Sequence, residues 1–596
     1  MTKRIEDLAD RIIETDFLIV GGGLVGSMAA IRARKNDPEI DVTVIDKARM
    51  EWSGDGVGLD NFNQVPLHKE DIDKKATEDD ANKAVFGGKR MQGLRDLKLD
   101  AVQLKNAYVS QPLLEEIGVR VREDDGALHV IQAYRKGVNW ARLEYDDQGK
   151  PTEPLFGSFS RGSDLKPRLG AAVRKNGTRV LDRTMLTSIV TDDGAAVGAT
   201  AVNTRTNEFI FIKAKAVLLA TGGAARLYPY QWSPYPNNLS YVITSPVNHG
   251  GGHICALDAG AKLFSMEMGN IYNVSKGVNH SSGGGGSNWY YKMYNSKGES
   301  LEDKYPDRVV TKAGGMIPGV NFLMSPDMQN AEGLKDVILS HKDKADPDTI
   351  AAVYFTAATE PTKALKFHKL AGGLISELPV ECVCVHTGIG MATGGVYREN
   401  EHSETGIKNL FAAGNVTGSQ PGSHGFTWGC VIADHVTELV KGKPQAKIGG
   451  DQLKQIEATK EWVFAPLQNK TAYPVNPLEL EDYIRQINLN YVGMFKYTSK
   501  MQRALELLKR ARDGAVPQLA ADNAHELMRT IEVRQILEVA ELHIRSSLVR
   551  DDSRLVPVHY RVEYPDVDPK WDNMVVFAKK AGGETEYVVG KLNEDT

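Results

Sequence analysis

Short apolar runs of strand length mark the first part of the chain, and helical stripes mark the last quarter. Residues 16–20, 41–45 and 209–219 are rich in aliphatic and β-branched residues, which predicts buried strands. The helical stripes contain Met501, Leu505 and Leu508, and then Val533, Ile536, Ala540 and Ile544. We interpret both stripes as core packing. The pattern predicts an α/β fold followed by a helical C-terminal region.

A glycine-rich turn follows the first predicted strand directly. The run Gly-Gly-Gly-Leu-Val-Gly at 21–26 leads into a helix of small residues at 27–34. In this context the first glycine permits a tight turn, the third lets a pyrophosphate approach the backbone, and the last lets helix and strand pack closely. Free N–H groups at the helix N-terminus would face the phosphates. The residues predicted to hold them are Gly21, Gly23, Leu24, Val25 and Gly26.

The second strand ends at an acidic residue. Asp46 lies 20 residues after Gly26 and is followed by Lys47. Its carboxylate can accept a hydrogen bond from a ribose 2′-OH, and it disfavours a 2′-phosphate. Strand, glycines, helix, strand and acid together predict a dinucleotide site, whereas the glycine pattern alone is a weak signal.

Three later segments favour FAD over NAD. Each is a buried strand or helix start that carries a polar, glycine-bearing turn: 209–223, 409–415 and 423–429. Flavoproteins with two dinucleotide-binding domains place such segments around FAD. All three also fit as ordinary parts of a Rossmann sheet, but that interpretation leaves the polar turns unexplained. The predicted FAD contacts here are Ala220, Thr221, Gly222, Asn415, Phe426 and Thr427.

Composition narrows the function classes. The 596 residues suggest about three or four domains, and the net charge of −5 with no long basic run argues against nucleic-acid binding. The N-terminal segment lacks a secretory pattern and no apolar stretch is long enough to span a membrane, so we expect a cytoplasmic protein without a membrane span. The four cysteines are Cys255, Cys382, Cys384 and Cys430. Their number and spacing favour neither an iron–sulfur site nor another metal site in this chain.

Segments 51–59, 258–267 and 559–565, with the turns above, resemble the fumarate reductase/succinate dehydrogenase flavoprotein family. Within it, the FAD-carrying α subunits of dissimilatory adenylylsulfate reductases are the most similar group. The resemblance covers nearly the whole chain. It implies a Rossmann-like two-dinucleotide-binding-domain FAD fold with an inserted capping domain and a C-terminal helical domain. The implied domains are FAD-binding, 1–248 and 382–446; capping, 249–381; and C-terminal helical, 447–596. It adds as FAD contacts Ser53, Gly54, Gly58 and Leu59.

The sequence departs from the family at residues that define known activities. Succinate dehydrogenases attach FAD through a His where this chain has Gly54, so we expect non-covalent FAD. Fumarate reductases use an Arg just before two glycines of the capping domain, and another Arg clamps a substrate carboxylate. The matching stretches here, 280–287 and 424–429, contain no Arg. Because an ionised carboxylate needs a charge-matched partner when desolvated, we do not expect fumarate or succinate as substrate.

Three histidines are candidates for proton transfer: His386, His424 and His253. His386 is preferred because the resemblance places it facing the flavin, in a glycine-rich loop after the cap. Each could instead be a hydrogen-bonded structural residue. Gly250–Gly252 is either a hinge to the capping domain or a surface turn. The predicted substrate-pocket residues, which could equally be capping-domain core, are Asn270, Tyr272, Trp289 and Tyr290. In this part of the chain adenylylsulfate reductases are rich in Arg, whereas this sequence has Asn270, Tyr272, Asn273 and Lys276.

The sequence therefore predicts an FAD-dependent oxidoreductase subunit. It would carry out a two-electron reaction on a small non-dicarboxylate substrate, such as an aromatic or cyclic compound. Electrons would pass to or from a ferredoxin-like iron–sulfur β subunit. The alternatives are a divergent adenylylsulfate reductase α subunit, and a flavin electron-transfer or scaffold subunit without substrate chemistry. The substrate, the direction of the reaction and the oligomeric state do not follow from the sequence.

Overall fold

The structure is a computed structural model. It describes residues 4–58, 61–64, 94, 96–119, 144–145, 151–153, 158–161, 164–229, 245–269, 271–275, 292–294, 298–299, 338–340, 380–386, 388–390, 394–418, 423–493, 495–555 and 558–592. The α-helices are α1 (Ile5–Leu8), α2 (Leu24–Asn36), α3 (Leu97–Asn106), α4 (Ser110–Glu116), α5 (Leu165–Lys175), α6 (Gly251–Asp258), α7 (Ser423–Val440), α8 (Gly450–Gln468), α9 (Pro477–Val492), α10 (Thr498–Arg510) and α11 (Ala524–Val549).

The strands form several sheets. In chain order they are β1 (Arg11–Val20), β2 (Val42–Ile45), β3 (Asn61–Gln64), β4 (Glu144–Tyr145), β5 (Pro151–Glu153), β6 (Ser158–Arg161), β7 (Arg179–Leu181), β8 (Thr184–Asp192), β9 (Ala195–Asn203), β10 (Phe209–Leu219), β11 (Leu263–Phe264), β12 (Ile271–Ser275), β13 (Lys292–Tyr294), β14 (Ile338–Ser340), β15 (Val380–His386), β16 (Gly395–Val396), β17 (Leu410–Ala412), β18 (Phe495–Lys496), β19 (Arg554–Leu555), β20 (Val558–Arg561), β21 (Met574–Ala581) and β22 (Glu584–Lys591).

The central sheet has the order β7-β2-β1-β10-β9-β8, and β17 also pairs with β10. Strands β7, β2, β1, β10 and β17 are parallel. In register, Val20 lies beside Ile45 on one side and beside Leu219 on the other, and Leu219 lies beside Ala412. The carboxyl ends of four strands therefore meet at one edge, where ligands bind in open α/β sheets.

Helices α2 and α7 pack on each other beside this edge. They fit closely because a Cβ at Gly429 of α7 would lie 2.6 Å from the carbonyl oxygen of Val25 and 3.1 Å from the amide nitrogen of Ala29. Phe426, Trp428 and the side chains around them are buried in the same apolar cluster as α2. Close helix–helix packing thus accounts for the glycine at position 429 of the predicted helix start.

The C-terminal region is mainly helical, as predicted. Helix α11 begins at the N-cap Asn523, whose side chain accepts hydrogen bonds from the backbone N–H of His525 and Glu526. Most residues of the two predicted stripes are fully buried, and Leu505 is partly buried, so their assignment to the core is confirmed. The region also carries a β-hairpin, β21–β22, which pairs with β11.

A separate four-stranded sheet has the order β12-β15-β14-β13. All of its strands lie between residues 271 and 386. Among the described residues, no helix is long and apolar enough to cross a membrane.

Candidate active site

The turn after β1 depends on glycine geometry. Gly21 has φ +103°, a conformation that side chains rarely adopt, and a Cβ there would collide with the carbonyl oxygen of Ala220. A Cβ at Gly26 would collide with the carbonyl oxygen of Gly21 and lie 2.9 Å from the Ile19 side chain. Gly23 differs, because a Cβ there would meet no protein atom within 4 Å. Two glycines thus allow the fold, and the third faces open space.

Helix α2 begins at this open space. Gly23 is its N-cap, and no side chain caps the helix. The first turn of a helix has N–H groups without intrahelical partners, and the helix dipole makes this end electropositive. Leu24 and Val25 line the cavity in front of the helix. The arrangement suits an anionic group such as a pyrophosphate.

The Asp46 carboxylate binds the glycine loop through hydrogen bonds. One carboxylate oxygen, Oδ2, accepts hydrogen bonds from the backbone N–H of Gly22 at 2.8 Å and from the hydroxyl of Ser53 at 2.6 Å. The other, Oδ1, accepts from the N–H of Ala48 at 2.8 Å. Asp46 is only 6% exposed, yet it lines the cavity. The carboxylate therefore holds the glycine loop in place besides its predicted role toward a ribose.

A buried lysine beside the loop was not predicted. Lys166 of α5 is 1% exposed, and its ammonium group donates to the carbonyl oxygen of Gly22. Burial lowers its pKa to about 8, although the Asp46 and Glu51 carboxylates act in the opposite direction. Lysine on a helix is ordinarily a surface residue, so its sequence context gave no signal of this contact.

The cavity in front of these elements encloses about 1020 Å³ of empty space, including its open mouth. Its walls contain most of the predicted FAD contacts: Gly21, Gly23, Leu24, Val25, Asp46, Lys47, Ser53, Gly54, Ala220, Thr221, Gly222 and Asn415. Three predicted contacts are buried but do not line it: Gly26, Phe426 and Thr427. Gly58 ends a short 3₁₀ turn that begins at Asp55, and Leu59 lies outside the described residues.

A second carboxylate joins distant parts of the cavity wall. Asp55 accepts hydrogen bonds from the backbone N–H of Ser245 at 2.5 Å, from Asn248 Nδ2 at 3.1 Å and from Asn415 Nδ2 at 2.7 Å. We call these four residues the Asp55 cluster. Desolvation raises the pKa of Asp55, against the opposing effect of its three donors. Neither Asp55 nor Asn248 was predicted, because their partners are about 190 to 360 positions away along the chain.

Lys47 and His249 form part of the wall near Asp46. Lys47 Nζ donates to Glu532 Oε1 at 2.6 Å and lies 2.9 Å from His249 Nδ1. His249 Nε2 lies 2.8 Å from Gln535 Oε1, so the proton belongs on Nε2 and Nδ1 accepts from the lysine. Burial and the nearby Lys47 charge lower the pKa of His249 to about 3, which keeps the imidazole neutral. His249 was not predicted either.

Two features of the wall fit a flavin dinucleotide. The hydroxyl of Thr221 is buried, lines the cavity and has no hydrogen-bond partner among the described residues. A buried hydroxyl without a partner is costly. The open position at Gly23 leaves room for a phosphate against the backbone. Gly21–Val25, Asp46 and Thr221 would therefore hold the nucleotide portion of such a cofactor.

Comparison with models of protein families gives two matches along the chain. A model described as "FAD binding domain" matches residues 16–431, and one described as "Fumarate reductase flavoprotein C-term" matches residues 481–591. The chain belongs to the fumarate reductase/succinate dehydrogenase flavoprotein family. The first match covers more than half of the chain, and it includes the carboxyl end of each central strand that borders the cavity.

Individual members of this flavoprotein family are distant relatives of full length. One subunit of the fumarate reductase (CoM/CoB) from Methanothermobacter marburgensis is 24% identical, with 96% of this chain and 98% of that protein covered. L-aspartate oxidase from Yersinia pestis is 24% identical, with 93% and 96% covered. The solved structure of adenylylsulfate reductase from Archaeoglobus fulgidus matches with a TM-score of 0.79 and 22% identity, covering 100% of this chain and 98% of that one.

These comparisons confirm the predicted fold class, the FAD cofactor and the assignment as an FAD-dependent oxidoreductase. Bound FAD supplies a carrier that takes up or releases two electrons. Backbone N–H groups of the glycine loop and of the start of α2 would bind the cofactor, and Asp46 and the Asp55 cluster would hold the cavity wall around it.

The three candidate histidines have different positions in this flavoprotein. His253 lies in α6, is 0% exposed and does not line the cavity. Burial lowers its pKa to about 4. His424 is the second residue of α7, and nothing further is described of its side chain. The geometry of His253 favours a packing role.

His386 lies on a strand, not in a loop as predicted. It is the last residue of β15 and pairs with Ile271 of β12. Two residues later Gly388, with φ +74°, packs so closely on Ala224 that a Cβ would collide with its carbonyl oxygen. Ala224 follows the turn at 220–223 that borders the cavity. The backbone therefore carries His386 toward the wall that contains Thr221, and its catalytic role stays a prediction.

The predicted substrate-pocket residues are mostly outside the described residues, namely Asn270, Trp289 and Tyr290. Tyr272 lies on β12 and pairs with Val385, next to the pair formed by Ile271 and His386. The structure thus places Tyr272 and His386 on neighbouring strands at adjacent register positions.

The sequence left open whether the glycines at 250–252 form a hinge to the capping domain or a surface turn. The surface turn is wrong, because these glycines are not exposed. They are buried, and Gly250, with φ +90°, is the N-cap of α6. A Cβ at Gly252 would collide with the Thr221 hydroxyl, so glycine is required by close packing.

Proposed function

We propose that the chain is the FAD-carrying subunit of an oxidoreductase that acts on a neutral or weakly charged organic substrate. The reaction would be a two-electron oxidation or reduction. The electrons would be exchanged with a separate iron–sulfur subunit. The observation that carries the substrate class is the absence of arginine from the two segments that match the fumarate reductase arginines.

The described wall of the cavity has few cations. Its charged side chains are Asp46, Lys47 and Asp55, and Lys47 is already paired with Glu532 at 2.6 Å. A dicarboxylate would require at least one guanidinium or ammonium group free to pair with it. The segments that match the two arginines of fumarate reductases contain none. The missing arginines support a substrate without two carboxylates, and the described wall of the FAD cavity offers no replacement cation.

The cysteines support a partner that carries the metal clusters. Cys255 and Cys430 are buried in two different apolar clusters, and burial raises the pKa of both thiols above the ordinary range. Only Cys382 and Cys384 remain, whereas a ferredoxin-type cluster uses four thiolates. One-electron carriers would therefore lie on another chain.

Non-covalent FAD is part of the proposal. Gly54 has φ +75° and offers no side chain for a bond to the flavin. Acid precipitation should release all yellow colour into the supernatant. Colour that stays with the denatured protein would contradict this.

A divergent adenylylsulfate reductase α subunit is the second candidate. It is favoured by the structural match over the full length of both chains, at a TM-score of 0.79. It is disfavoured by Asn270, Tyr272 and Asn273 at positions where a sulfated nucleotide would be expected to meet guanidinium groups.

Anaerobic flavin spectroscopy distinguishes these functions. The oxidised protein is mixed with AMP plus sulfite, or with a panel of uncharged cyclic and aromatic alcohols and ketones, and the absorbance of the oxidised flavin is followed. Bleaching by AMP plus sulfite, with no bleaching by any member of the panel, would support the second candidate. Bleaching by a panel member supports the proposal. If only artificial one-electron mediators change the spectrum, the chain serves electron transfer alone, and the proposal is wrong.

A further inference from the structure

A second cavity lies directly behind one wall of the FAD cavity. It encloses about 1010 Å³ of empty space, including its open mouth. Lys47 and Val247 line both cavities. The two cavities are therefore neighbours that share a wall, and the shared lysine follows Asp46 in the chain.

The charges of this second cavity are strongly unbalanced. Two carboxylates line it, Glu481 and Glu532. Six cationic side chains also line it: Lys47, Arg183, Arg205, Arg226, Arg485 and Arg529. The FAD cavity has the opposite balance, with one lysine and two aspartates. An excess of positive charge in a concave site raises the local concentration of anions.

The two carboxylates are already used by the cations at the base of the cavity. Glu532 accepts from Lys47 at 2.6 Å, from Arg226 at 2.7 Å and from Arg529 at 2.9 Å. Glu481 accepts from Arg226 Nε at 2.8 Å and from Arg485. Because both carboxylates have several partners, neither is left to neutralise the cations at the rim.

Two arginines at the rim have no such partner. Arg183 and Arg205 are exposed, and neither guanidinium makes a hydrogen bond or ion pair with a described residue. They lie on neighbouring turns, since the carbonyl oxygen of Arg183 accepts from the backbone N–H of Thr204 at 2.7 Å. The backbone N–H of Arg183 is in turn held by the carbonyl oxygen of Ala48 at 2.9 Å.

Arg183 also occupies a strained backbone conformation. Its φ is +58°, in the left-handed region where glycine is strongly preferred. Such strain in a non-glycine residue is unfavourable, and strained residues cluster at functional positions. Glycine would fit the turn better, so the arginine is not explained by the fold alone.

We propose that this cavity is a binding site for a small phosphorylated anion, distinct from the FAD site. The paired cations at its base would provide the positive field, and Arg183 and Arg205 would form direct hydrogen bonds to phosphate oxygens. Guanidinium groups suit this role because their planar donors match phosphate geometry. The ligand is either free pyrophosphate or the diphosphate group of a nucleotide.

The shared wall couples this site to the cofactor. Lys47 connects Glu532 at the base of the second cavity with His249 in the wall of the FAD cavity. An anion in the second cavity would compensate the cations that surround Glu532 and stabilise the shared wall. We therefore expect the anion to strengthen the binding of FAD, and FAD to strengthen the binding of the anion by the same factor.

The test uses the FAD-loaded protein, so that the glycine loop is already occupied. Calorimetric titration with inorganic pyrophosphate at low ionic strength should show saturable binding, and ADP tests the nucleotide source. The variant pair Arg183→Gly with Arg205→Ala should weaken binding roughly ten- to hundred-fold. The melting temperature should stay equal or rise, because glycine relieves the strained turn.

A matched control removes the same charge elsewhere. Lys441→Ala with Lys443→Ala lowers the net charge equally at exposed positions after α7, and it should leave pyrophosphate binding unchanged. Absence of saturable binding by the unaltered protein would overturn the proposal. Equal weakening in both variant pairs would also overturn it, because the effect would then be general electrostatic attraction. If ADP binds and pyrophosphate does not, a nucleotide is the ligand and the site stands.

Discussion

The two carboxylates in the FAD cavity stabilise its wall in different ways. Asp46 binds residues close to it in the chain, since Gly22, Ala48 and Ser53 are its partners. Asp55 binds Ser245, Asn248 and Asn415, which belong to segments far apart in the sequence. The first carboxylate shapes a local motif, whereas the second connects segments that meet only after folding.

This difference predicts two kinds of dependence. The region around Asp46 should control whether a dinucleotide binds at all, because the glycine loop and the helix N-terminus are built there. The Asp55 cluster should instead control how stably the distant segments of the cavity wall are held together. Variants around Asp46 should therefore mainly lower FAD affinity, whereas variants of Asp55 should mainly lower the stability of the wall.

The largest effect is expected at Gly26. Gly26→Ala places a Cβ against the carbonyl oxygen of Gly21, and such overpacking typically costs about 1–3 kcal/mol. We expect a lower melting temperature of the apoprotein and loss of measurable FAD binding. Gly23→Ala is the matched control, because its Cβ meets no protein atom within 4 Å. It should weaken FAD binding without changing the apoprotein's melting temperature; a lowered melting temperature would place Gly23 in the core.

The next effect concerns turnover. His386→Asn should reduce turnover per bound FAD by ~10²–10⁴-fold if His386 is a general acid or base, with an unchanged melting curve. His253→Asn is the comparison variant, and because His253 is 0% exposed, it should lower stability and leave turnover per bound FAD nearly unchanged. If His253→Asn lowered turnover and His386→Asn lowered only stability, His253 would be the general acid or base and His386 a packing residue.

The local features of the site were predictable from the sequence, whereas its long-range contacts were not. The glycine loop, Asp46 and the strand ends follow from short motifs, because β1, the turn and α2 are continuous in the chain. Asp55, Asn248 and His249 gave no signal, since their hydrogen-bond partners come from distant segments. Lys166 was missed for the same reason. His386 was predicted to lie in a loop, because the glycines that follow it obscured the end of β15.

A moderate effect is expected at Asp46. Asp46→Asn replaces an acceptor of three hydrogen bonds with an amide, and a charged hydrogen bond contributes roughly 1.5–3 kcal/mol. FAD affinity should fall roughly ten- to hundred-fold in a fluorescence titration. Ser53→Ala removes only one of the three donors and should have a smaller effect. An unchanged dissociation constant in Asp46→Asn would exclude Asp46 as a cofactor ligand.

The smallest effect is expected at Asp55, and it depends on pH. Desolvation raises the pKa of Asp55 in the folded protein, so the folded state binds a proton more tightly than the unfolded state. The contribution of Asp55 to stability is therefore fully present below the unfolded pKa and is lost as pH rises through the folded pKa. Asp55→Asn should flatten this part of the stability profile, measured by denaturant unfolding of the apoprotein. If the free energy of unfolding of the variant depends on pH as steeply as that of the unaltered protein, another group causes the dependence.

The proposed exclusion of dicarboxylate substrates can be measured anaerobically by the absorbance of the flavin. The oxidised protein is mixed with millimolar succinate, and the photoreduced protein with millimolar fumarate, while the flavin absorbance is followed. Because the segments that match the two fumarate reductase arginines contain no Arg, we predict no bleaching in the first mixture and no reoxidation in the second. Bleaching or reoxidation within seconds would contradict the account.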